Sequence, residues 1–405
     1  MAKPEIRLKG FEGEWKPDII GNIANVVGGG TPSTSITNYW NGGIQWFTPS
    51  EVGKSRYVSC SERNISKEGL DNSSAKIIPA NSILLSSRAT VGEASINTCK
   101  CCTNQGFQSL IPKNVDLDFL YTLIATIKRD IVKESSGSTF LEISANKVRN
   151  LSVTIPNLIE QKALGVYFKS LDSMIQGVTK KIASLKQMKQ ACLVSMFPQE
   201  GETTPRVRFK GFKGEWLNVE LSECLSVCKD RNLSETYGKG DVLSVSDDYG
   251  VVNQIELLGR SYAGKSVANY RILRNGHIVY TKSPLKVKPF GIIKVNNGSD
   301  GIVSTLYAVY VPMDWVSAKF INYYFEPSFR MNKYIHPLVN KGAKNDMKVS
   351  DENVLKGNIF IPKEKEEQQK IASYFTSLDK QISLQEARLE KLKQIKSACL
   401  DKMFV

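Results

Sequence analysis

The sequence predicts an α+β fold: two mixed α/β domains separated by two long helices that pair as an antiparallel intramolecular coiled coil, arranged as a pseudo-twofold internal repeat. Three observations carry this. A short segment occurs twice, PEIRLKGFEGEW at residues 4–15 and PRVRFKGFKGEW at residues 205–216. A longer one also occurs twice without a gap: residues 160–197 align with residues 367–404, and 17 of the 38 positions are identical. Between these blocks lie residues 17–150 and 217–355, which resemble each other poorly. A duplicated frame holding unlike inserts suits two similar modules that do one job on two different targets.

Taken in order, residues 1–16 form the first repeated segment and residues 17–155 the first globular domain. Within it, GGGTPS at residues 28–33 and Asn41-Gly42-Gly43 read as loops. Residues 77–79 and 82–85 read as short strands about a turn, and residues 116–133 as a helix. Residues 156–199 form the first long helix. Its apolar positions Leu171, Ile175, Val178, Ile182, Leu185 and Cys192 recur at steps near three and four, which places them on one stripe. Pro156 sits just upstream, where proline can start a helix.

Residues 200–216 link to the second repeated segment. The second domain, residues 217–361, carries strand-like runs at 242–245, 270–273, 277–282 and 302–311, and a helical one at 315–325. Residues 362–405 repeat the long helix, with Leu378, Ile382, Leu389, Leu392 and Ile395 as its stripe. At 1.5 Å per residue such a helix spans roughly 55–60 Å. One apolar stripe on so long a rod needs a partner, and the other copy supplies it. The alternative is that each helix packs onto its own globular neighbour. Tyr167, Phe168, Tyr374 and Phe375, at the helix starts, read as packing residues, and so do Trp40 and Trp46.

Composition narrows the function classes. With 405 residues, 41% apolar and 23% charged, the chain is expected to form two or three folded domains. No run of 18 apolar residues exists, and the N-terminus lacks the apolar core of a signal peptide, so a cytoplasmic protein with no membrane partner is expected. Free thiols are therefore expected for the eight cysteines; a zinc site would need matched ligand pairs, which neither Cys99-Lys100-Cys101-Cys102 nor Cys224 with Cys228 supplies. No metal is expected. The net charge is +14, spread as +6 over residues 1–201 and +8 over 202–405. A positive field of this kind favours a polyanion, and nucleic acid is the natural partner.

Residues 259–266, GRSYAGKS, fit the phosphate-loop pattern G-x-x-x-x-G-K-[ST] letter for letter. A phosphate loop needs a strand before it and a helix after it, so that backbone N–H groups face the phosphates. Here strand and turn composition follows, which favours a basic surface loop; a nucleotide-binding enzyme stands as the alternative function. Other catalytic patterns fail. No proline is followed by another, as base-methylating pockets commonly require, and no Glu-x-Lys lies a short way after Asp18 for a nuclease site. The first half has no histidine for a Ser-His-Asp arrangement. No catalytic residue is assigned.

The order and wording of these blocks resemble the specificity subunits of type I restriction-modification enzymes over essentially the whole chain. The resemblance rests on GGGTPST…YWNGGIQWFTPSEV (28–52), KEGLDNSSAKIIPANSILLSSRATVGEASI (67–96), TNQGFQSLIP (103–112), SGSTFLEIS (136–144) and the IP…EQ…YFxSLD text opening each helix. It implies a DNA-binding subunit without catalysis of its own. Each domain would read one half of a bipartite, asymmetric site in double-stranded DNA, and the coiled coil would set the spacer. Two methylation subunits and two restriction subunits would be the partners. The cofactors S-adenosylmethionine, ATP and magnesium would belong to them, with none in this chain. The second insert lacks GGGTPS and SSRA, which predicts two different half-sites.

Base reading needs side chains such as Arg, Lys, Asn and Gln, whereas phosphate contacts only position the protein. The candidates in the first domain are Thr31, Ser33, Ser86, Ser87, Arg88, Asn104 and Gln105. Against each stands the reading that these Ser-Ser-Arg and Asn-Gln-Gly segments are turns bonded to backbone. In the second domain the candidates are Arg231, Arg260, Lys265, Lys282, Lys341 and Lys344, each weighed against plain solvated charge. A protein-binding coiled-coil scaffold is a third reading, but it leaves the two bulky unlike inserts and the basic charge without a purpose.

Overall fold

The structure, a computed structural model, describes residues 3–137, 141–282, 288–341 and 347–405. The chain divides into two units, one of residues 1–180 with 386–405 and the other of residues 181–385. Each unit therefore contains the start of one long helix and the end of the other. These helices run Leu158–Ser195 and Lys365–Met403.

In the first unit, strand Lys16–Ile19 pairs antiparallel with Ser152–Ile155, so the insert leaves and rejoins the frame at one place. The core sheet has five strands in the order Ala24–Gly28, Gln108–Pro112, Ile83–Leu85, Ala94–Asn97, Tyr57–Val58. A second sheet holds Arg63–Ile65, Trp40–Phe47 and Cys101–Thr103. Asn41-Gly42-Gly43 is not a loop but part of Trp40–Phe47, where a bulge lets Trp40 and Ile44 both register with Ile65. Gly42 makes this possible, since a Cβ there would stand 2.4 Å from the Ser66 Cα. The expected single helix at 116–133 is two, Leu117–Thr126 and Lys128–Glu134, broken at Ile127. Asp116 caps the first by accepting from the Phe119 N–H.

The second unit repeats the scheme with different residues. Strand Leu217–Glu220 pairs with Asn358–Ile361, and a four-stranded sheet has the order Leu225–Val227, Tyr307–Pro312, Ile278–Thr281, Ile293–Val295. These four match the first four strands of the other core sheet in order and in chain sequence. Three short antiparallel pairs complete it, Leu243–Ser246 with Gly250–Asn253, Arg271–Leu273 with Gly301–Val303 and Asn340–Lys341 with Met347–Lys348. The run expected as one strand at 302–311 is therefore two, divided by a turn at Ser304. Helices Ala318–Phe325 and Ser328–Ile335 cover the sheet, the first capped by Ser317.

The repeated segments close each unit in the same way. In the first, Trp15, Phe119, Phe168 and Phe404 pack edge-to-face and stacked, with centroids 5.6–6.2 Å apart. In the second, Trp216, Phe320, Phe375 and Phe197 do so at 5.4–6.1 Å. Arg7 wraps the GFxGEW turn, donating to the Gly13 carbonyl and making a two-pronged pair with buried Glu160; Arg208 does the same with Gly214 and Glu367.

The helix segments in each unit run antiparallel. In the first, the Tyr167 hydroxyl meets Cys399 at 3.3 Å and Lys396 pairs with Asp172 at 2.7 Å. In the second, Cys192 meets the Tyr374 hydroxyl at 3.4 Å and Lys189 pairs with Asp379 at 2.6 Å. Leu171, Val178, Ile182, Leu185, Leu378 and Ile382 are buried, and Ile175, Cys192, Leu389 and Leu392 half-buried. Ile395 corrects the expectation: it is 38% exposed. Two successive steps of three, 389 to 392 to 395, turn it about 120° off the seam. The seam instead follows Leu392, Lys396, Cys399 and Met403 at steps of four, three and four. The helices also pack onto their globular neighbours through Phe168 and Phe375, so the two readings of the stripe hold together.

Candidate nucleic-acid interface

Antiparallel pairing decides where the loops of the first core sheet collect. Ala24–Gly28 ends opposite the start of Gln108–Pro112, and Ile83–Leu85 ends beside the same point, where Ser86 bridges to Phe107. Loops at 29–35, 86–90 and 103–107 therefore emerge at one end of the sheet. The Gly30 N–H donates to the Thr103 carbonyl (2.9 Å) and the Ser87 N–H to the Gly106 carbonyl (2.7 Å). Gly29 permits the approach, because a Cβ there would fall 2.1 Å from the Asn104 carbonyl oxygen.

All seven candidates of the first domain gather here, but not in one role. Thr31 donates to the Gln105 side-chain oxygen at 2.5 Å, and Ser33, exposed, bonds Ser35 at 2.8 Å. Arg88 is exposed and pairs with Glu142 at 2.8 Å. Asn104 accepts from the Gly106 N–H, tightening the turn. Ser86 and Ser87 are fully buried. Ser86 donates to the Arg88 carbonyl, and the Ser87 hydroxyl has no partner. For Ser86 the internal-turn reading describes what the side chain does; Ser87 is turned inward without such a bond.

Two tryptophans brace the glycine-rich loop from within. The Trp40 indole donates to the Ser33 carbonyl (3.0 Å) and the Trp46 indole to the Gly30 carbonyl (2.9 Å), with the rings edge-to-face at 5.1 Å. Arg63 lies over both, its guanidinium carbon 3.6 Å from the Trp40 ring centre and 5.8 Å from that of Trp46. The sequence reading omitted Arg63, since nothing in linear spacing links position 63 to the loop at 30–33.

In the second unit the corresponding sheet end carries the loop after Leu225–Val227 and the chain after Ile278–Thr281. Arg231, exposed, lies on the first, and its backbone bridges to Arg271. Buried Asn232 ties this loop to Tyr237 and Val267, which brings the segments of Arg231 and Lys265 together. Lys265 is exposed, and Arg260, also exposed, lies over the Tyr262 ring at 4.6 Å. Lys282 is half-buried and held by Asp351 (2.8 Å), which also binds Arg271 (2.5 Å). Lys341 lies in strand Asn340–Lys341; Lys344 is outside the described residues.

The phosphate-loop match is overturned by its surroundings. Helix Gln254–Leu258 precedes it, Gly259 is that helix's left-handed cap at φ 75°, and the next element is strand Arg271–Leu273. The order is helix–loop–strand, the reverse of what cradles a phosphate. Ser266 donates to Glu235.

The eight cysteines are free thiols. Burial pushes Cys101 up to about 12 and Cys102 up to about 11, so both stay protonated at neutral pH. Among the described residues no group of three His, Cys, Asp or Glu could hold a metal, and no helix is long and apolar enough to cross a membrane.

Comparison with known proteins follows the same division. A family profile described as Type I restriction modification DNA specificity domain matches residues 12–187 and again 216–394. The chain is 34% identical over 180 residues to the type I restriction enzyme MjaIX specificity subunit of Methanocaldococcus jannaschii, covering 43% of this chain and 42% of that one. It is 28% identical over 193 residues to the EcoR124I/EcoR124II specificity subunit of Escherichia coli, covering 46% and 47%. The aligned stretches thus span less than half of these curated relatives. The fold is similar to the crystal structure of the type I restriction-modification system S subunit from M. genitalium, with a TM-score of 0.62 at 14% identity, over 100% of this chain and 99% of that one.

Proposed function

This chain belongs to the type I restriction modification DNA specificity family, and on that premise we propose that it is the sequence-reading, non-catalytic subunit of such a complex. Each unit reads one half of a bipartite, asymmetric site in double-stranded DNA. The paired helices set the spacer and dock two methylation subunits, and two restriction subunits complete the assembly. S-adenosylmethionine, ATP and magnesium serve the partners, which methylate adenine and cut DNA, and the complex works in the cytoplasm.

One observation carries the reading. Two inserts that differ in sequence share one strand order, and at the same end of each sheet polar and cationic loops collect. Such an end offers donors for groove edges and charge for phosphates, while the frame beneath stays constant. The candidates whose side chains are exposed there are Ser33, Arg88, Gln105, Arg231, Arg260 and Lys265.

The test is an exchange. Residues 17–150 are replaced by the matching segment of another family member, and adenine methylation is mapped across a host genome. The expected result is a new first half-site beside an unchanged second one. Change in both halves, or in neither, would overturn the assignment of one half-site to each unit.

A further inference from the structure

We infer that Arg63 is a base-reading residue of the first domain, presenting its guanidinium edge to a guanine in that domain's half-site; this rests on the DNA-reading function proposed above. The Trp40 ring lies 3.6 Å beneath the guanidinium carbon, and that indole is itself pinned, its N–H donating to the Ser33 carbonyl. Trp46, 5.8 Å away, is pinned likewise to the Gly30 carbonyl. The two rings that fix the loop at Gly30 and Ser33 therefore also fix Arg63 beside that loop.

What is left over is the donor edge. Stacking occupies one flat face of a guanidinium and leaves its five N–H groups directed outward in the plane. Arg63 is exposed, and among the described residues no carboxylate pairs with it. The contrast with its neighbours is informative. Arg56 is bound by Asp118 and Asp172, and Arg88 by Glu142. Arg63 is rigid, charged and unspent. A planar fork held in place matches the O6 and N7 acceptors of guanine in the major groove, the commonest specific contact between arginine and a base. A lysine on the same ring would keep the charge and lose the fork.

The experiment uses the full chain co-purified with its methylation subunit, offered a library of double-stranded DNA with randomised positions, and sequences what is retained. Wild type is compared with Arg63→Lys and Arg63→Met; methionine keeps apolar cover on Trp40 without any donor. In both variants one guanine position of the first half-site is expected to become degenerate, with affinity for the wild-type site down by about 10- to 100-fold. The second half-site and the thermal midpoint stay as in wild type. Retention of that guanine by Arg63→Lys at wild-type affinity overturns the inference, and so does a loss spread evenly over all sequences, which would mark a phosphate contact. A wild-type complex without any split preference would instead sink the proposed function. If Arg63→Met lowers the thermal midpoint, Arg63→Lys alone decides.

Discussion

The two units keep one closure and differ in what it encloses. Trp15, Phe119, Phe168 and Phe404 are matched in kind and packing by Trp216, Phe320, Phe375 and Phe197, and Arg7–Glu160 by Arg208–Glu367. Beyond the four shared strands the inserts part company: one adds a fifth strand and a three-stranded sheet around two tryptophans, the other three short strand pairs. The constant part is largely buried aromatic and ion-pair chemistry, where close neighbours restrict what each side chain can be. The variable part lies at loop ends, where exchange of side chains leaves the sheet intact. On the proposed function, the same division separates what supports the fold from what selects a target.

The closures differ in depth, and that is the sharpest place to press the comparison. Phe197 is fully buried whereas Phe404 is half-buried. Phe197→Ala should cost about 3–5 kcal/mol, and Phe404→Ala about 2 kcal/mol for its smaller buried area. Denaturant unfolding followed by fluorescence would measure both; equal losses would show that the two sockets are equivalent despite their burial.

Next in size are the clamps. Glu160 and Glu367 are nearly inaccessible, while Arg7 and Arg208 keep 17% of their side-chain surface. Replacing either carboxylate by glutamine leaves a cation facing a neutral group, at about 2–3 kcal/mol. Equal losses at the two sites, read by thermal melting, are the expected outcome, and unequal ones would break the equivalence of the frames.

The smallest effect concerns acid. Burial pushes the Asp118 carboxyl up, but bonds and charge from Arg56 and Lys169 outweigh it and hold it below the usual carboxylate range. In the second unit Lys288 and Lys294 do the same for Asp247. A carboxyl whose folded value is depressed contributes stability above its unfolded value, near pH 4, and loses it as pH falls through the lower folded one. Asp118→Asn should therefore cost about 1 kcal/mol at neutral pH, screened because water reaches the site. It should also flatten the loss of stability below pH 4, as urea midpoints measured from pH 6 to pH 2 would show. A wild-type slope in the variant would remove Asp118 from the account.

Much of this was legible in one dimension because the frame is written twice. Phe168 and Phe375, or Trp15 and Trp216, announce themselves by recurring, and a stripe at helical spacing fixes both long helices. Ile395 misled because the apolar pattern continues where the helix has already turned it outward. Asn41-Gly42-Gly43 misled because two glycines signal a turn and a bulge alike, and only the crowding of Gly42 against Ser66 distinguishes them. The serines at 86 and 87 share the loop with Arg88 but lie on its inner side, and which side of a turn a serine takes is not written in its spacing. Arg63 could not be found at all, since what singles it out is a contact between strands, with Trp40 and Trp46 on one and Arg63 on the next.

Completion of the first unit by residues 386–405 has a consequence for biosynthesis. A ribosome adding 5–20 residues per second needs on the order of 10–40 s to travel from the end of the first stretch to this one. Through that interval the nascent first unit waits with Trp15, Phe119 and Phe168 lacking Phe404. The unit begun first is thus sealed last, and chaperones that shield exposed aromatics have that time in which to act.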